Sequence, residues 1–116
     1  MIANLLTYGI EESDKVAVYN LTKSPKIEKV SDIADGTILD LKAVAFFTDI
    51  NEDKETERSI TSVMTKDGMV YATNSATFSR ELKDIIAIFE GDIDFKIEKL
   101  SGLTKSNRTF VDCALA

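Results

Sequence analysis

The 116-residue chain has no histidine, one cysteine (Cys113) and one proline (Pro25). Without histidine there is no Ser-His-Asp or Cys-His site and no zinc-finger spacing. A lone cysteine excludes an internal disulfide, and its place on the apolar phase of a strand reads as inert packing. Neither phosphate-binding glycine signature, GxGxxG or GxxxxGK followed by Ser or Thr, occurs. No apolar run reaches the roughly 18 residues that a membrane crossing needs. The opening "MIANLLTYGIEESDK" lacks the basic start and apolar core of a signal peptide, so the expected location is cytoplasmic. No cofactor, metal or small-molecule substrate is expected, and the protein is read as a non-enzyme. With no linker, repeat or low-complexity tract, residues 1–116 are read as one domain.

What is abundant is acid. Lys and Arg number 14 against 20 Asp and Glu, a net charge of −6 that repels polyanions at long range. The charges are segregated along the chain. Asp49, Glu52, Asp53, Glu55 and Glu57 crowd "DINEDKETE", with Glu11, Glu12 and Asp14 nearer the start. Lys23, Lys26 and Lys29 lie in one stretch, and Lys96, Lys99, Lys105 and Arg108 in another. The acidic run at 51–57 reads as a solvated loop rather than a cation site, because no strand fixes its carboxylates.

The patterning is mostly that of strands. "KVAVYN" alternates, "LTKSPK" is a turn cluster and "KIEKV" a return strand, so an N-terminal β-hairpin is expected at about 16–30. "TILDLKAVAFFTDI", "ERSITSVMT" and "MVYAT" are three further strands, the last two joined at Asp67-Gly68. In "NSATFSRELKDIIAIFEGD" the period changes: Phe78, Leu82, Ile85, Ile86 and Phe89 follow helical spacing. Asn74 or Ser75 caps this helix, and Gly91 ends it at C′. "IDFKIEKL" and "RTFVDCALA" are the closing strands. Three strands, a helix and two strands match the order of a five-stranded OB-fold-like barrel, here with the hairpin added. The expected class is mainly β (α+β).

Alternation assigns the faces. Leu39, Leu41, Ala43, Ala45 and Phe47 form one apolar phase, with Val70, Ala72, Ile93, Phe95, Ile97, Val111, Cys113 and Leu115 also inward. Phe78 and Phe89 are expected in the core. Phe46, Tyr71 and Phe110 then fall on the outer phase of three strands, the arrangement of a stacking platform for bases. Lys96, Lys99, Lys105 and Arg108 surround the last hairpin and are the candidate phosphate contacts. The alternative is that some of the three aromatics fill a second small core under the N-terminal hairpin or a dimer contact. A bulge would also invert the assignment.

"VAVYN", "IADGTILDLKAVAFF", "TKDGMVYATNSATF" and "FKIEKLSGLTKSNRTFVDCAL" together resemble, in order and spacing, the small single-stranded DNA-binding proteins of tailed phages of Gram-positive bacteria. The nearest pattern is that of Bacillus phages with protein-primed replication, and it covers about residues 16–115. The resemblance implies sequence-independent binding and protection of single-stranded DNA during phage replication. Its implied partners are single-stranded DNA and, along it, self-association; no membrane is involved, and the host cytoplasm is the site of action. Asn107 stands where that pattern often has glycine, and it tolerates the left-handed turn. The competing expectation is a protein-interaction or assembly domain on the same barrel, using the acidic loop and an edge strand. Phe110 beside Arg108 favours DNA, whereas Phe46 near Asp49 and Glu52 fits the alternative.

Overall fold

A computed structural model describes residues 1–116. The elements are β1 (Ile2–Tyr8), α1 (Lys15–Thr22), β2 (Glu28–Lys29), a 3-10 turn at Val30–Asp32, β3 (Ile38–Asn51), β4 (Thr56–Thr65), β5 (Val70–Thr73), α2 (Ala76–Ile88), β6 (Lys96–Leu103) and β7 (Thr109–Leu115). The strands form one curled, mixed sheet in the order β2-β5-β4-β3-β6-β7, with β1 also paired to β3. The fold is mainly β with two helices, and the sheet is a half-barrel. No ladder joins β5 to β7. Between them lies the start of α2, where the Ser75 hydroxyl donates to the Val111 carbonyl at 2.6 Å.

The 14-residue β3 organises the sheet. One edge pairs with β4 from Leu41 to Asn51; the other pairs with β6 through Ile38–Asp40 and with β1 from Val44 to Asp49. Opposite β4 the register jumps: Leu41 faces Thr65, yet Ala43 faces Met64, so Lys42 is an extra residue. Such a bulge moves the following side chains to the other face. Leu39 and Leu41 before it, and Val44 and Phe46 after it, therefore enter one large core with Phe78, Leu82, Phe95 and Ile97. Ala43, Ala45 and Phe47 enter a second core with Leu21 and Val70. The single apolar phase read from the sequence is thus two phases. The outward placement of Phe46 is corrected: it is 6 % exposed, edge-on to Tyr8 with ring centroids 6.2 Å apart.

The expected hairpin at 16–30 is corrected as well. Residues 15–22 are helical, because Asp14 accepts from the Ala17 amide at 3.1 Å and caps the first turn. Ala17, Val18 and Leu21 face the protein at helical spacing, with Leu21 fully buried, while Val16 and Tyr19 point to solvent. Burial of that stripe outweighs the strand preference of "VAV". Pro25 stands beyond the helix end, and Glu28–Lys29 pairs parallel to Tyr71–Ala72, not back on its own segment. The N-terminal strand β1 was not foreseen; it bulges between Ala3 and Leu6, where Asn4 takes a left-handed φ of 55°.

Helix α2 starts as expected, with the Ser75 hydroxyl accepting from the Phe78 amide. At its end Glu90 (φ 57°) occupies C′, and Gly91 follows it. The Glu90 amide donates to Ala87 and the Gly91 amide to Ile86, satisfying the last carbonyls. Phe89 lies at the rim, 38 % exposed but stacked on Phe95 at 4.9 Å, and Leu115 is also exposed rather than inward. The acidic loop is a four-residue turn, Glu52–Glu55, that delivers Glu57 and Arg58 into β4.

Because Phe46 fills the large core, Phe46→Ala should lower stability by about 3–5 kcal/mol in urea unfolding. A loss below about 1 kcal/mol would return Phe46 to the surface.

Candidate nucleic-acid interface

The hairpin of β6 and β7 brings together part of the expected site. Its turn is closed by the Thr104 amide donating to Arg108 O (2.8 Å) and the Asn107 amide donating to Thr104 O (2.9 Å). Asn107 adopts the left-handed conformation, φ 61°. The Thr104 hydroxyl also accepts from the Arg108 amide at 3.1 Å, so the tip is held by its own polar groups. Lys105 and Arg108 are both exposed there. Two residues beyond Arg108, Phe110 lies opposite Gly102 in the register, and its ring covers the space a side chain at Gly102 would occupy. A glycine at that position gives the ring a flat backbone seat.

The other expected contacts are placed differently. Lys96 is exposed but at the far end of β6, opposite Asp40. Tyr71 is half-buried against the large core; its phenol is pushed up by desolvation first, and then by Glu28 and Asp67. Lys99 was expected to stand free for phosphate and does not: its side chain is 5 % exposed, and its ammonium lies 2.6 Å from Asp35 and 3.1 Å from the Ser101 hydroxyl. Ile97, two residues earlier on β6, and its β3 neighbour Leu39 are in the large core, so Lys99 leaves the core-facing side of its strand to reach its partner. The Lys99 ammonium, and after it the Ser101 hydroxyl, hold the Asp35 carboxyl below its ordinary value.

A groove of about 590 Å³ opens beside Phe110, over the seam between β5 and β7. Lys29 and Arg58 line it, along with Asn74, Ser75 and Thr109. A neighbouring depression continues past Asn74–Ala76 along α2 to Arg80, Lys83 and Asp84. No motif singles out Arg58, Arg80 or Lys83, and Lys29 reads only as part of a basic stretch with Lys23 and Lys26. Arg58 follows directly on the acidic run, at the start of a strand, and Arg80 and Lys83 are the expected polar face of an amphipathic helix. A groove of about 620 Å³ at the other end of β5, beside Val70, is lined by Met64, Met69 and Ile27, with Lys26 and Glu28 offsetting one another. It holds no aromatic.

Cys113 is buried against α2, and burial pushes its thiol up to about 12, so thiolate chemistry is not available at neutral pH. No helix is long and apolar enough to cross a membrane.

Residues 7–116 match the family described as Phage Single-stranded DNA-binding protein. The chain belongs to this family. Its function is single-stranded DNA binding in phage DNA replication, and the family is one of binding proteins, not enzymes. No curated protein and no solved structure matches the chain. Within the family frame, the exposed cations and the half-exposed Phe110 become candidate DNA contacts, while Lys99 is a structural residue.

The Lys99–Asp35 pair generates a pH-dependent expectation. The carboxyl of Asp35 has a folded value below its ordinary 3.8, so its contribution is complete above that value and is lost as pH falls through the lowered one. Asp35→Asn should destabilise the protein at pH 7 more than Lys99→Met, because it leaves an ammonium buried without its anion. The gap between wild type and Asp35→Asn should narrow below about pH 4. Urea midpoints across pH check both; a larger loss in Lys99→Met would contradict the pairing.

Proposed function

We propose that the protein coats the displaced strand during phage replication in the host cytoplasm, with the β6–β7 hairpin as its primary DNA contact. The observation that carries this is the ring of Phe110, seated on Gly102 two residues beyond the exposed Arg108, with Lys105 exposed at the tip of the same hairpin. An aromatic face beside two cations offers a base its stacking surface and the adjoining phosphates their counter-charge, without reading sequence. Tyr71 has a lesser part, because packing against the core takes one side of its ring. Phe46 is left out of the contact set by its burial, and Lys99 by its pairing with Asp35. Lys96, at the other end of β6, gives an outlying phosphate contact.

The continuous order β5-β4-β3-β6-β7 supports reading the half-barrel as an OB-like barrel whose last seam is bridged by α2. In that fold the last hairpin is one of the loops that meets oligonucleotides. Side-by-side association of copies along the strand belongs to the same proposal; Leu103, exposed at the hairpin, offers apolar surface for it.

Phe110→Ala should weaken binding of labelled oligo(dT), measured by fluorescence anisotropy, by about 1–3 kcal/mol, roughly fivefold to 150-fold, with a cooperative unfolding transition retained. Unchanged affinity in a folded variant would remove Phe110 from the interface.

A further inference from the structure

We infer a second phosphate track on the same protein: the seam between β5 and β7, with Lys29 and Arg58 at one end and Arg80 and Lys83 at the other. The inference rests on the single-strand-binding reading and specifies the path the strand takes beyond the hairpin.

Continuity is the first argument. The groove beside Phe110 and the depression along α2 share Asn74, Ser75 and Ala76 as common lining. A strand stacked on Phe110 therefore meets an open channel that leads across the seam and on to α2. From Ser75 to Lys83 that channel follows the helix for roughly 12 Å, at 1.5 Å per residue. The seam is open because no ladder joins its two strands, and α2 does not fill it to the surface.

Charge is the second. The protein's ion pairs engage the N-terminus and Lys23 with Asp49, Lys66 with Asp40 and Asp94, and Lys99 with Asp35. None of them uses Lys29, Arg58, Arg80 or Lys83. Asp84 is the one carboxylate among the residues lining the two grooves. In a chain of net charge −6, a lining of four cations outside any ion pair against one carboxylate marks where a polyanion meets least repulsion. Hydroxyl and amide groups fill the spaces between them: Ser59, Thr73, Asn74 and Ser79, all donors that serve sugar and phosphate oxygens.

Pre-positioning is the third. The Lys83 ammonium sits 5.0 Å from the centroid of the Phe46 ring, so a cation–π contact holds it at the channel wall. Arg58 is fixed by the β3–β4 ladder opposite Asp49, on a strand rather than a loose loop. Held cations lose less conformational freedom when they meet phosphate than free side chains do.

The test is the salt dependence of oligo(dT) binding, by anisotropy between about 50 and 200 mM salt, for wild type, Arg58→Ala, Arg80→Ala and the double variant. Each lost phosphate contact lowers the slope of log affinity against log salt by about 0.7, so the double variant should fall by about 1.4. The paired Lys substitutions, Arg58→Lys and Arg80→Lys, should keep the wild-type slope, since charge is retained; thermal melts establish that each variant is folded. Slopes equal to wild type in both Ala variants, with Lys105→Ala and Arg108→Ala lowering theirs, would overturn the track and leave the hairpin as the only contact. Absence of binding by wild type itself would overturn the single-strand reading together with the track.

Discussion

The bulge at Lys42 is the constraint on which the rest of the architecture depends. A regular β3 would send Leu39, Leu41, Ala43, Ala45 and Phe47 to one face and leave Phe46 in water. With one extra residue, the first two leucines join Val44 and Phe46 in the core under α2. Ala43, Ala45 and Phe47 face the core under α1 instead. A single strand thereby serves two apolar layers while bonding to β4, β6 and β1. Each layer then needs a cover, and the two helices supply them: Leu21 seals one, and Phe78, Leu82, Ile85 and Ile86 seal the other.

The position of α2 links this packing to function. The helix docks where a fifth ladder would close the barrel, and the Ser75–Val111 hydrogen bond takes the place of sheet pairing there. A seam spanned by a helix start, not by strands, is a channel at the surface. The same helix carries Arg80 and Lys83 on its outer side, and β7 carries Phe110 on the opposite bank. The protein thus resolves the conflict between its acidity and its polyanionic ligand locally. Acids dominate the Glu11–Asp14 and Glu52–Glu57 regions, and free cations gather at the seam and the hairpin.

Much of this was legible in the sequence. Five strands follow from alternation and α2 from its period, because each buries one face against a partner, though the strand expected at 93–100 lies at 96–103. The turn of the last hairpin was legible too, since Asn107 and the Thr104–Arg108 closure depend on neighbours close in sequence. What failed depended on distant partners. "KVAVYN" alternates as well as it spirals, and only the surface it covers decides between the two. The bulge at Lys42 leaves no mark in composition, yet it reverses the sides of Phe46 and Phe47. The burial of Lys99 depends on Asp35, 64 residues away in sequence. Arg58 reads as the second residue of a strand beside the acidic run, and nothing local marks the groove it borders. The four quoted motifs, by contrast, identified the family from their order alone, and the match over residues 7–116 bears that out.

The most direct test of the account is amide chemical-shift mapping by NMR as a short oligo(dT) is added. The account predicts the largest shifts at Thr73–Thr77 beside the seam and at Thr104–Val111 on the hairpin, with little change at Met64–Met69. Shifts centred on Met64–Met69 and α1, with the seam silent, would contradict it and place the single strand at the other end of β5.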